Sequence, residues 1–160
     1  WIVIQQRIDG SQSFNLSWNE YKSGFGTYYK NFWLGLEKMH QLTTSADYRL
    51  KFEVFICGSW YSDEYDHFKI SSKLVKYSLN VSGYSGDKFD VLNYHNGMKF
   101  STLDQDNDIH NSGSCSSNWC SGNWFHKCYD QNINGLFRKS GFNYNKEPLT
   151  YCSMMIKRNV

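Results

Sequence analysis

Asp104-Gln105-Asp106-Asn107-Asp108 places three carboxylates on alternate residues. Their mutual repulsion is relieved if a cation sits among them, and hard oxygen ligands of this kind suit calcium. An EF-hand loop requires Gly at its sixth position and Glu at its twelfth. This chain has Ile109 and Cys115 there, so that loop is excluded. The competing explanation of the pattern is an acidic turn solvated by water.

Downstream, Cys115 and Cys128 flank an aromatic stretch that contains Trp119, Gly122, Trp124 and Phe125. A disulfide closing such a loop would contribute about 3 kcal/mol. Zinc is the rival chemistry, drawing on Cys115, Cys120 and Cys128 with His110 or His126, although these spacings match no zinc finger. Catalytic patterns are missing: there is no Gly-x-Ser-x-Gly elbow, zinc-protease helix or phosphate-cradling loop. His40, His67, His95, His110 and His126 are scattered, none with an evident nucleophile, so the expectation is a binding protein and not an enzyme.

The elements that must position these residues follow from periodicity. Trp1 to Gln5 is an apolar, β-branched run that ends at the Asp9-Gly10 turn. Ser17-Trp18-Asn19-Glu20 has the form of a capping box, opening a short helix that Gly24-Phe25-Gly26 stops. Leu36, Met39 and Leu42 give helical spacing within 32–43. Tyr48, Leu50, Phe52 and Val54 alternate with polar residues as a half-buried strand does, and 67–70 and 75–81 are expected as two further strands. From Gly83 to Ser140 the chain is loop-like, rich in Asn, Ser, Gly and Asp, and a loop region of that length is usually functional or held by a metal or disulfide. Ser153 to Lys157 is the closing strand. The expected fold class is α+β: a mostly antiparallel central sheet with short helices in 1–82 plus 150–160, and a loop-rich subdomain in 83–149, with calcium and a disulfide as its expected stabilisers.

Composition bounds the setting. A chain of 160 residues with 18% aromatics forms one domain with a real core. No apolar run approaches the roughly 20 residues of a membrane span. The net charge of +2 is spread along the chain and Lys157-Arg158 is its densest basic spot, which argues against nucleic acid as a partner. The chain opens at Trp1 without an initiator Met or a signal segment, as expected of a processed or excised piece. Sequons at Asn15-Leu16-Ser17 and Asn80-Val81-Ser82 point outside the cell. Five cysteines leave at least one thiol free or bridging to another chain, so a homo-oligomer is one expectation.

Several ordered motifs then resemble the fibrinogen C-terminal domain family. Trp1-Ile2-Val3-Ile4-Gln5-Gln6-Arg7-Ile8-Asp9-Gly10-Ser11 is similar to the segment that enters the family's central region. Phe32-Trp33-Leu34-Gly35-Leu36 with His40, Leu42 and Thr43 resembles Phe-Trp-Leu-Gly-Asn…His-x-Leu-Thr. Gly97-Met98-Lys99-Phe100-Ser101-Thr102 running into the Asp loop is similar to Gly-Met-x-Phe-Ser-Thr-x-Asp-x-Asp-Asn-Asp. Asn132-Ile133-Asn134-Gly135 resembles Asn-Leu-Asn-Gly, and Met154 to Arg158 the closing strand.

The resemblance implies a Ca2+ site made by the carboxylates of Asp106 and Asp108 with the carbonyls of His110 and Ser112, or of Gly113 in place of Ser112, and a disulfide Cys115–Cys128. Sugar-binding members such as ficolins and tachylectins hold N-acetyl groups in an aromatic funnel beside that disulfide. By the same resemblance the Lys127–Cys128 peptide is cis, the amides of Cys128 and Tyr129 face the ligand, and Trp119, Trp124 and Tyr129 line the pocket. The bland alternative is that these three rings pack the loop. The chain departs from the pattern at Tyr129, where the family has His, and at Asn123-Trp124, where it has a Trp pair. The stretch between Gly135 and the last strand is shortened, with Gly141-Phe142-Asn143-Tyr144 matching Gly-Ile-x-Trp, and the family's N-terminal subdomain is missing. Cys57, Cys120 and Cys152 are additional; a Cys57–Cys152 pair would leave Cys120 for an intermolecular bridge. The implied function is secreted, calcium-dependent, lectin-like recognition of acetylated or other glycans, with innate immune recognition among its settings. The alternative is a protein-binding module, as in fibrinogen itself, angiopoietins or tenascins.

Overall fold

A computed structural model describes residues 1–160. In chain order the elements are β1 (Ile2–Arg7), α1 (Trp18–Ser23), β2 (Phe25–Gly26), β3 (Phe32–Trp33), α2 (Leu36–Ser45), β4 (Tyr48–Ile56), β5 (Ser59–Ile70), β6 (Leu79–Gly86), α3 (Cys115–Trp119), β7 (Asn143–Tyr144), β8 (Glu147–Pro148) and β9 (Tyr151–Arg158). Seven strands form one antiparallel sheet in the order β2-β3-β1-β9-β4-β5-β6, and β7 with β8 makes a separate hairpin. The last strand is therefore central, lying between β1 and β4, so the loop-rich stretch before it is anchored to the sheet at both ends.

Alternation in β4 is complete: Tyr48, Leu50, Phe52, Val54 and Ile56 are buried, and the residues between them are half-exposed. The capping box at Ser17 forms, with the Glu20 amide donating to Ser17 Oγ and the Ser17 amide donating to Glu20 Oε2 at 2.9 Å. Two expected elements shift their boundaries. The helix expected over 32–43 starts only at Leu36, because Phe32 and Trp33 pair with β1 and β2. The strand expected over 75–81 begins at Leu79, because Lys76 and Tyr77 take left-handed conformations (φ 57° and 50°) that end a short 3-10 turn. It runs on to Gly86, past the Gly83 expected to open the loop region, because 84–86 pair with β5. Tyr77 still belongs to the buried core. Sequence patterning also missed residues 59–66, the first two-thirds of β5, where charged and aromatic residues mix.

The core joins the sheet to the loops. Tyr21, Trp33, Phe100 and Trp124 form a run of aromatic contacts with centroids 5.1–6.2 Å apart. Arg7 is buried, stacked 4.0 Å from the Phe14 ring centroid, and its Nη1 donates to the carbonyls of Ile133 and Gly135 at 3.0 and 2.8 Å. Gln5 Nε2 donates to the Ile133 carbonyl as well. Two strand residues thus hold the Asn132–Gly135 segment in place. Gly122 is required by close approach, since a Cβ there would meet the Tyr21 ring at 2.7 Å.

Candidate functional site

Helix α3 starts at Cys115 under an N-cap, with Ser114 Oγ accepting from the Ser117 amide, and ends at Cys120, a left-handed cap with φ 52°. That single helical stretch fixes one half of the disulfide and places Trp119 at the far end. Cys115 and Cys128 are bonded, with Cα atoms 5.5 Å apart, and the Lys127–Cys128 peptide is cis. The disulfide removes both cysteines from any zinc set. No three His, Cys, Asp or Glu side chains are grouped to hold a metal between them.

Beside the disulfide opens a pocket of 460 Å³. Trp119, Tyr129 and Tyr94 supply its aromatic surface, and Lys127, Asp130, Asn143 and Lys146 its polar rim, with Cys128 at the base. Trp119 and Tyr129 meet edge-to-face at 5.1 Å. The amides of Cys128 and Tyr129 donate to no acceptor within the chain. Trp124, expected with them, lies elsewhere: it is 1% exposed, packs on Trp33 and Phe100, and donates from Nε1 to the Tyr77 carbonyl at 2.8 Å. It is a core residue. Three of the four expected pocket residues, Trp119, Cys128 and Tyr129, are therefore brought together.

One histidine outside every motif and several Asn side chains position this pocket. His95 is fully buried, donates from Nδ1 to the Trp124 carbonyl at 2.8 Å, and accepts at Nε2 from the amides of Asp130 and Gln131 at 3.1 and 3.3 Å. Burial pushes its pKa down to about 4. Asn143 Nδ2 donates to Tyr129 Oη and to the Ser140 carbonyl, while its buried Oδ1 has no partner. Asn123, Asn132 and Asn134 donate to the carbonyls of Gln131, Gly141 and Gly122 at 2.7–3.0 Å. The sequence signals for this web were the density of Asn in a long loop and the Asn132–Gly135 motif, because side-chain amides replace the main-chain ladder there.

In the acidic loop the three carboxylates separate by role. Asp104 Oδ1 accepts from the Trp18 amide at 2.9 Å and from Thr102 Oγ1 at 2.8 Å, so it ties the loop to the start of α1. Asp108 accepts from the amides of His110 and Cys115, both at 2.8 Å, which couples this loop to the disulfide helix. Asp106 Oδ1 accepts from the Asp108 amide, and its carboxyl is held above the ordinary range by partial burial and by the facing Asp108. The carbonyls of His110 and Ser112 accept no main-chain hydrogen bond. Two neighbouring carboxylates with free carbonyls are an oxygen-only donor set, which fits a hard cation.

The remaining thiols differ from expectation. Cys57 and Cys152 are not bonded. Cys152 lies opposite Val54, whereas Cys57 sits in the turn three residues further on, roughly 10 Å along the strand and beyond disulfide reach. Cys152 is buried, and burial pushes its pKa up to about 12. Cys57 is exposed and Cys120 is partly exposed. Asn15 and Asn80 are both at the surface, Asn80 on the edge strand β6.

A seven-stranded antiparallel sheet with a disulfide-closed loop region is the architecture of a fibrinogen-like globe. Residues 1–155 match the family model of the fibrinogen beta and gamma chains, C-terminal globular domain, and the chain belongs to this family. It is 39% identical over 158 residues to fibrinogen-like protein A of Apostichopus parvimensis, covering 97% of this chain and 55% of that protein. It spans about half the length of the curated fibrinogen-like proteins it first matches. The fold superposes on the fibrinogen-like globe domain of human ANGPTL2 with a TM-score of 0.92 at 32% identity, covering 99% of this chain and 80% of that one. The lamprey fibrin D-dimer complexed with the peptide Gly-His-Arg-Pro-amide matches with a TM-score of 0.87 at 30% identity, covering 99% of this chain and 62% of that one. No helix is long and apolar enough to cross a membrane.

Proposed function

We propose that this chain is an extracellular recognition module whose pocket beside Cys128 takes the acetylated group of a glycan, with Ca2+ held by Asp106 and Asp108 and the carbonyls of His110 and Ser112. The observation that carries the reading is the pair of unengaged amides, Cys128 and Tyr129, in a pocket walled by Trp119, Tyr129 and Tyr94. An acetamido group needs those two surfaces: N–H donors for its oxygen and a ring for its methyl. Calcium would neutralise the Asp106–Asp108 pair and stiffen the loop that reaches Cys115 through Asp108. Binding, and not catalysis, suits the site, because His95 is committed to three main-chain groups and has no nucleophile beside it. Glycans on Asn15 and Asn80 would fit an extracellular setting.

Recognition of a protein or peptide is the second reading. Asp130 favours it, since a carboxylate on the pocket rim could pair with a peptide amino terminus. The lamprey relative complexed with a peptide adds weight to it.

Retention on N-acetylated resin, with and without calcium, followed by elution with free N-acetylglucosamine, tests the first reading. Calcium-dependent retention competed by the sugar supports it. No retention, together with calcium-dependent stabilisation, moves the function to protein recognition.

A further inference from the structure

Next to the Cys128 pocket lies a second cavity of 520 Å³ whose surface includes Arg138, Lys139 and Lys146 together with Phe142, Asn143 and Thr150. The two cavities share Asn143 and Lys146, so one ligand can reach both. Charge in the second cavity is one-sided. Three cations line it and no carboxylate does. The sequence from Gln131 to Lys146 contains no Asp or Glu at all. Glu147, the next acid along the chain, is turned to Lys88 at 2.8 Å. None of the three cations takes part in an ion pair within the chain. Unpaired cations gathered in a concavity, with no acid among them, form a field that selects oxyanions.

We infer that this basic cavity is an anion subsite, so that the ligand is an acidic glycan: a neutral acetylated part against Trp119 and Tyr129, and a carboxylate or sulfate group against Arg138, Lys139 and Lys146. The inference rests on the acetyl-binding reading of the first pocket for the neutral part only. The anion subsite lies in the stretch between Gly135 and the last strand, and it would distinguish this chain's preference from that of a neutral-sugar binder.

The test is surface binding in calcium buffer to four probes: polymer conjugates of N-acetylglucosamine, N-acetylneuraminic acid and 6-sulfo-N-acetylglucosamine, and dextran sulfate, which has no acetyl group. Tighter binding of at least one acidic conjugate than of the neutral one, on the order of five-fold and shrinking with added salt, is the expected result. Which acidic conjugate gains separates carboxylate from sulfate recognition. The double variant R138Q/K139Q should return the acidic conjugates to the neutral level and leave the neutral one unchanged. K139Q alone, checked for an unchanged melting temperature, should give part of that loss and guards against misfolding of the double variant. Equal binding of neutral and acidic conjugates, or an equal drop for all in the variants, overturns the subsite. If no acetylated conjugate binds, the first pocket's reading fails. Dextran sulfate retention that R138Q/K139Q removes would then keep the anion subsite, and its absence would overturn that too.

Discussion

Acid should loosen the pocket wall through one buried side chain. His95 donates from Nδ1 to the Trp124 carbonyl and accepts at Nε2 from the amides of Asp130 and Gln131, an arrangement open only to the neutral ring. Burial is the main cause that lowers its pKa from 6.5 to about 4; His126 acts in the same direction and the hydrogen bond to Trp124 opposes it. The Tyr94 ring packs on both imidazoles, 5.8 Å from His95 and 4.4 Å from His126. Because the folded-state value lies below the unfolded one, the unfolded chain binds the proton first. The stabilisation is complete above about pH 6.5 and is lost as pH falls to about 4. A shift of that size corresponds to about 3 kcal/mol. Urea denaturation at pH 7 and pH 4 of the wild type and of His95→Gln measures it. Gln can still donate and accept but does not titrate, so the wild type should lose about 3 kcal/mol more than the variant over that interval. His67, whose pKa Asp47 raises, and the carboxylates titrate equally in both proteins and cancel. Parallel losses in the two proteins would refute the role given to His95.

Three further outcomes follow from the same structure. Calcium at a hundred times its dissociation constant should stabilise the chain by about 2.7 kcal/mol, or roughly 5–10 °C in melting temperature, and Asp108→Asn should abolish that increment. Trp124→Ala should cost about 3–5 kcal/mol in urea unfolding, whereas Trp119→Ala, at a partly buried ring, should cost less and remove binding to the acetylated resin. A thiol reagent should label Cys57 and then Cys120 in the native protein, and Cys152 only after unfolding, as followed by intact mass.

The difference between what the sequence disclosed and what it hid lies in the range of the interactions. The capping box at Ser17 and the alternation of β4 are local, involving neighbours within a few residues, and both were legible. The ordered motifs disclosed the fold family, the Cys115–Cys128 bond and the acidic loop. Asp104 could not be separated from Asp106 and Asp108 by spacing, because its distinguishing partner is the Trp18 amide, 86 residues away. Nor could Trp124 be told from Trp119: without a helical or strand period, nothing local says which ring turns inward. His95 looked like one scattered histidine among five, yet the groups it holds lie 29 to 36 residues further along the chain. In a loop region the main chain cannot satisfy itself, so distant Asn, His and Asp side chains complete its hydrogen bonds, and those pairings exist only once the chain is folded. The site is hardest to read where it is most constrained, since long-range side-chain to main-chain bonds fix the pocket and leave no periodic trace.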